Sequence, residues 1–313
     1  MSEIVSAESI REAAGGLAGV AERTPLLPLP DLGGSAFLKT ENRQPVGAFK
    51  IRGAFTAIRR LSAAERARGV ITHSSGNHGQ AVAFAARHFG IPAVIVMPAD
   101  APRVKQDGVR RHGGEISFVQ NRLDRLPRCE ALAGERGLVM IPPYENADVI
   151  AGQATCGLEI LEDLAGVTTI VVPVGGGGLI AGIASAVRHF SPSVRVVAVE
   201  PTGAPKLARA LEAGRPVTIE HPQSIADGLL PQSVGTLPFE VMAGVVKEAV
   251  QVSDEEIGAA VRYLHQSVGE RVEPSGAAAT AALLAGRIRS PGTVVAIASG
   301  GNVDPDIFDR LVR

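Results

Sequence analysis

The sequence predicts an α/β fold of two parallel-sheet lobes with flanking helices. Three observations carry this expectation. Short β-branched apolar runs alternate with helical stretches along most of the 313 residues. The runs are apolar throughout rather than at every second position, as strands buried on both faces require. The stretches between them are long enough for the crossover helices that parallel strands need.

Taken in order, Ala7 to Ala21 reads as an amphipathic helix. Gly69-Val70-Ile71-Thr72 is strand-like, and Asn77 to Phe89 is helical. Ala93 to Met97 is a strand, Pro102 to His112 a helix and Glu115 to Val119 a short strand. The pattern resumes with a strand from Thr169 to Val174 and a helix from Leu179 to Phe190. Val194 to Glu200 and Thr293 to Ala298 are further strands. Gly137 to Asn146 is less regular and is expected to return the chain from one lobe to the other. The expected division is a large domain of residues 1–43 plus 147–313, with a small domain of residues 44–146 inserted in it.

A chain of this length can bury a large core. Its hydrophobic fraction is 45%, yet no apolar run approaches the ~20 residues of a membrane span. A formal net charge of −1 gives no reason to expect nucleic acid or an anionic membrane as partner. Cys129 and Cys156 are too few and too far apart for a disulfide framework or a zinc site, so a reducing cytoplasm is the expected location. Met1 to Arg23 lacks a basic start followed by an apolar block, so no signal peptide is expected.

Three segments carry chemistry. Lys50 lies in Pro45-Val46-Gly47-Ala48-Phe49-Lys50-Ile51-Arg52-Gly53-Ala54, at a turn into a helix and among small apolar neighbours. The chain has only five lysines among 31 basic residues, so each is less readily dismissed as surface charge. A desolvated amine loses its proton more easily and becomes nucleophilic towards an aldehyde. Gly175-Gly176-Gly177-Gly178 lies between a strand and a helix, where backbone amides bind phosphate without side-chain charge. It is neither a dinucleotide fingerprint nor a Walker loop. Ser74-Ser75-Gly76-Asn77-His78-Gly79-Gln80 also joins a strand to a helix. It offers amides and hydroxyls to a carboxylate, although Ser75 or Asn77 as a plain helix cap is the simpler reading. Ser299-Gly300-Gly301-Asn302 by itself says only that the chain turns. A lysine, a polar glycine turn and an anion-cradling loop are the parts that hold an aldehyde cofactor bearing a phosphate, which points to pyridoxal phosphate (PLP).

Together these motifs resemble the serine/threonine dehydratase branch of the fold-type II PLP enzymes, the tryptophan synthase β-like fold, which includes serine racemase. Asp148 to Gln153, Ser224 to Gly228 and Glu273-Pro274-Ser275-Gly276 extend the match from about Ser9 to Val303. The resemblance implies that Lys50 carries the cofactor covalently, with Phe49 packed on one cofactor face. Gly175, Gly176, Gly177, Gly178 and Leu179 match the phosphate loop. Asn77 matches the partner of the ring hydroxyl and Ser299 the partner of the pyridine nitrogen. Gly228, Glu273 and Gly300 complete the implied cofactor set. Ser74, Ser75, Asn77 and His78 match the loop that takes the substrate carboxylate. Ser75 stands where racemases carry their second acid/base, and Arg125 near a substrate-contacting arginine.

The implied activity is dehydration and deamination of a β-hydroxy-α-amino acid such as L-threonine or L-serine, giving a 2-oxo acid and ammonia. Alternatives are a substrate such as phenylserine or 3-hydroxyaspartate, serine racemisation, β-replacement of the cysteine-synthase kind, and a non-catalytic amino-acid or nucleotide binding protein. The apolar Leu229-Leu230-Pro231 favours threonine or a bulkier substrate over hydroxyaspartate. A homodimer is implied, and a C-terminal regulatory domain is not expected. Many relatives hold Mg²⁺ or Ca²⁺ through an acid, a carbonyl four residues on and an acid six residues on. Here those positions read Glu200, Ala204 and Lys206, so no metal is expected: the Lys206 ammonium should take its place and pair with Glu200.

Overall fold

The structure is a computed structural model, and it describes residues 4–32, 35–74, 76–290 and 292–313. Its strands are β1 (Leu26–Pro28), β2 (Ala36–Lys39), β3 (Val70–His73), β4 (Ala93–Pro98), β5 (Glu115–Val119), β6 (Val139–Met140), β7 (Val167–Pro173), β8 (Arg195–Pro201), β9 (Val246–Val252) and β10 (Thr293–Ile297). They form a six-stranded sheet in the order β1-β2-β10-β7-β8-β9 and a four-stranded sheet in the order β5-β4-β3-β6. The smaller sheet draws all its strands from between Val70 and Met140. Every pairing is parallel except that of β1 with β2. That antiparallel edge was not anticipated, because a three-residue strand carries too little pattern to read.

The helices are α1 (Ala7–Leu17), α2 (Lys50–Arg60), α3 (Ala63–Arg68), α4 (Asn77–His88), α5 (Arg103–Arg111), α6 (Arg125–Arg136), α7 (Ala147–Asp163), α8 (Gly178–Phe190), α9 (Lys206–Ala213), α10 (Thr236–Met242), α11 (Asp254–Tyr263), α12 (Pro274–Leu284) and α13 (Pro305–Val312). Among the described residues no helix is long and apolar enough to cross a membrane. The expected first helix stops early, at Leu17, where the Ala18 amide turns back to the Gly15 carbonyl.

Continuous apolar strands follow from the layering. Val294 and Ala296 of β10 enter the core on one face of the large sheet, while Val295 and Ile297 enter the core on the other. Val70 and Ile95 sit on one face of the small sheet, and Ile71, Val94 and Val96 on its opposite face. Alternate residues of one strand thus serve two cores, so both must be apolar.

One buried ionic cluster fixes the helix that begins at Lys50. Arg52 donates to Glu41 at 2.7 and 2.8 Å and to Glu159 of α7 at 2.7 and 2.8 Å. Lys39, at the end of β2, donates to Glu159 at 2.5 Å. The start of α2 is thereby held against both β2 and α7.

Candidate active site

The site forms where strand ends meet helix starts. Lys50 is the first residue of α2, Asn77 of α4 and Gly178 of α8, and Ser299 lies just beyond β10. The carboxyl ends of parallel strands gather loops and helix N-termini on one side of a sheet, which favours binding sites there. The Phe49 amide donates to the Ser299 carbonyl at 3.1 Å, and Ala48 bridges Gly300. Segments some 250 residues apart in sequence are so laid side by side.

Lys50 is half-buried as a residue, and its amine donates to the Pro143 carbonyl at 2.8 Å. Burial lowers its pKa to about 8, so a useful fraction of the amine is uncharged near neutrality. Phe49 presents its ring 5.0 Å from the Lys50 ammonium.

The glycine loop is a cradle with no room for side chains. A Cβ at Gly176 would lie 2.1 Å from the Tyr144 ring, and one at Gly175 would lie 2.7 Å from the Gly228 carbonyl oxygen. Gly177 has a φ of 96° and caps α8 without a side-chain partner, leaving backbone N–H groups for an anion. Leu179 is buried in the first turn of α8.

Asn77, Glu273 and Gly300 converge. Asn77 Nδ2 donates to Glu273 Oε1 at 2.5 Å, and a Cβ on Gly300 would lie 2.3 Å from that same oxygen. Ser299, the residue before Gly300, is buried. Gly228 donates to Ser275 Oγ at 2.9 Å. Among the residues expected to take the substrate carboxylate, Ser74 is buried and its Oγ accepts from Gly76 N at 3.0 Å. His78 directs Nε2 at the Ile141 carbonyl, 2.9 Å away, so that nitrogen carries the proton. Burial, and then Lys50, press its pKa down to about 3, which keeps the ring neutral. Arg125 opens α6 and donates to the Arg122 carbonyl at 2.8 Å. It lies close enough to His73 to help burial lower that imidazole to about 4. Ser75 lies outside the described residues.

Lys206 and Glu200 are both closed to solvent and stand 3.0 Å apart. The ammonium also reaches the carbonyls of Val174 at 2.9 Å, Leu229 at 3.1 Å and Ala204 at 3.3 Å. Leu229 packs its side chain into a core cluster against the large sheet, while Leu230 and Pro231 are half-buried.

The profile of the pyridoxal-phosphate dependent enzymes matches residues 17–300. The chain belongs to that pyridoxal-phosphate dependent enzyme family. This PLP-dependent enzyme is 41% identical to the L-threonine ammonia-lyase of Thermotoga maritima, over 99% of its own length and 79% of the relative's. It is 40% identical to the serine racemase of Arabidopsis thaliana, over 95% and 92% of the two chains. The solved structure of maize serine racemase superposes with a TM-score of 0.93 at 38% identity, covering 98% of this chain and 96% of that one.

The residues present fit PLP. The cradle that any Cβ would fill suits a phosphate, and the desolvated Lys50 amine suits an aldehyde. Two features of this PLP-dependent enzyme went unread in the sequence. Tyr144 lies with its ring against Gly176, next to the carbonyl that holds Lys50. It is one of only two tyrosines, a faint signal at best. Lys105 of α5 reaches Asp227 and Glu273, and nothing in its local sequence marks it.

Proposed function

We propose that this chain dehydrates and deaminates a β-hydroxy-α-amino acid such as L-threonine or L-serine. The observation that carries this reading is the desolvated Lys50 amine held by the Pro143 carbonyl, next to the Tyr144 ring that lies on the glycine cradle, in a chain about 40% identical to both threonine ammonia-lyase and serine racemase.

PLP, when bound, supplies the electron sink that lets the Cα–H bond of the substrate break. Gly175 to Gly178 would hold its phosphate, Asn77 its ring hydroxyl and Ser299 its ring nitrogen, with Phe49, Gly228, Glu273 and Gly300 around them. Lys50 takes the Cα proton as general base once its amine is free. Ser299, a hydroxyl rather than a carboxylate, would leave the ring nitrogen neutral, which would favour loss of the β-hydroxyl over transamination. Ser74, Asn77, His78 and Arg125 receive the substrate, and His78 does so as a neutral imidazole. One C–H and one C–O bond break and water leaves. The released enamine then takes up water, giving the 2-oxo acid and ammonia.

Keto-acid release from L-serine, L-threonine, L-threo-hydroxyaspartate and phenylserine tests the reading and ranks the substrates. No keto acid from any of them sinks it. The 40% identity to a serine racemase supports a second reading. D-serine formed faster than pyruvate from L-serine would establish it, with Ser75 as the second acid/base.

The large domain of residues 1–43 and 147–313 with a 44–146 insert, a homodimer and a cytoplasmic location belong to the same proposal. So does the Lys206 ammonium standing where relatives hold a metal, since it meets one carboxylate and three carbonyls.

A further inference from the structure

We infer that Lys105 is a positioning residue that fixes the Asn77 amide for the cofactor, acting through Glu273. The inference rests on the reading that Asn77 meets the cofactor ring hydroxyl.

Lys105 stands on α5, beside the small sheet, and is 2% exposed. Its ammonium lies 2.8 and 3.0 Å from the two Asp227 oxygens and 3.0 Å from Glu273 Oε2. Both carboxylates hang from connections of the other sheet, so one side chain crosses between the two. Its stem passes directly over Gly76, where a Cβ would lie 2.1 Å from Lys105 Cδ. Asn77 follows Gly76 in sequence. A buried ionic group of this kind is poor evidence for stability, because well-packed apolar residues serve that end as well. Its position beside the site calls for another reason.

That reason lies in the hydrogen bonds beyond Glu273. Asn77 Nδ2 donates to Glu273 Oε1 at 2.5 Å. Asn77 Oδ1 accepts from Asn302 Nδ2 at 3.0 Å, and Asn302 Nδ2 also donates to the Val46 carbonyl at 2.9 Å. Turning the Asn77 amide over would set oxygen against oxygen at Glu273 and nitrogen against nitrogen at Asn302. Its orientation therefore depends on Glu273 remaining an acceptor. In this orientation, one Nδ2 hydrogen serves Glu273, and the other has no partner among the described residues.

Glu273 is 1% exposed and stands near Asp227. Burial and that second carboxylate hold its pKa above the ordinary carboxyl value even though Lys105 opposes them, so loss of Lys105 would push it higher still. A protonated Glu273 loses the charge that strengthens the bond from Asn77 and can set a donor against Nδ2. Lys105, held charged by its two carboxylates, limits that rise, which favours Glu273 as an acceptor and with it the Asn77 amide facing the cofactor.

The test is titration of PLP into the apoprotein, with Kd and the visible spectrum of the bound cofactor as readouts. Loss of one charge-assisted hydrogen bond should weaken binding about tenfold in Lys105→Met. Glu273→Gln, which keeps Lys105 in place, should do the same, and both should shift the absorption band. Lys105→Arg should recover most of the affinity. Asn77→Ala should be weak by itself, and adding Lys105→Met to it should cost little more, because the two act in series. A wild-type Kd and spectrum in Lys105→Met or in Glu273→Gln, alongside a weak Asn77→Ala, would overturn the inference while leaving the Asn77 assignment intact. A wild-type Kd in Asn77→Ala would remove the assignment of Asn77 and this inference with it.

Discussion

The amide of Phe49 donates to the carbonyl of Ser299 across 3.1 Å. The residue before the lysine expected to carry the cofactor is thus pinned to the residue expected at its ring nitrogen. A shift in either segment moves both.

Lys50→Ala should remove the yellow colour and any pyridoxyl adduct fixed by borohydride. Its kcat should drop by about 10²–10⁴-fold or more, the range for a lost proton-transfer group that is also the nucleophile. The side chain makes one hydrogen bond, to Pro143, so thermal unfolding should change little. Peptide mapping that found the adduct elsewhere would refute the assignment.

The capture of PLP by apoprotein should depend on pH through Lys50. Only the uncharged amine attacks, and burial lowers its pKa to about 8. The rate should therefore rise as pH rises and level off above that value, instead of climbing on towards the ordinary lysine range. Stopped-flow absorbance across a pH series checks this.

Gly177→Ala should damage the cradle. With φ at 96°, an L-residue there is strained by about 1–2 kcal/mol. Stability should fall by that amount, and PLP affinity by about tenfold as the amides rotate off the phosphate. Differential scanning calorimetry and PLP titration separate the two effects.

Arg52→Met should destabilise by about 3–5 kcal/mol, because it leaves Glu41 and Glu159 without their shared cation in a buried setting. Burial alone would raise the Glu41 carboxyl, but Arg52 overrides it and holds the group below its ordinary value. A depressed carboxyl adds stability above its unfolded pKa, and this is lost as pH falls through the folded one. Chemical denaturation at neutral and acid pH should show the gap between wild type and variant narrowing on acidification.

Activity should persist in EDTA, since the Lys206 ammonium already satisfies Glu200 and three carbonyls. Strict dependence on added Mg²⁺ would refute this. Lys206→Met should lower Tm sharply by stranding a buried carboxylate.

Much of the fold was readable because parallel strands must be apolar on both faces. β3, β4, β5, β7, β8 and β10 all lie within two residues of their expected ends. β9 was hidden: Val246-Lys247-Glu248-Ala249 mixes charge with apolar residues, as an edge strand tolerates. α7 was not read from the sequence, where Asp148 to Gln153 entered only as a matching motif. Gly152 is required because a Cβ there would lie 2.3 Å from the Arg52 carbonyl where α7 crosses α2.

The sequence by itself determined the chemistry on offer: Lys50 beside small residues, four glycines ahead of a helix, and a serine after the last strand. Those properties are local, set by side-chain type and by the turn each segment must make. Only the tertiary structure decided which distant groups act on them. Lys105 meets Glu273 and Tyr144 lies on Gly176 because two sheets bring separate connections together, and the pair of Lys206 with Glu200 gains its three carbonyls from strand ends and connections of the large sheet. Contacts across such distances depend on packing geometry, which no local pattern encodes.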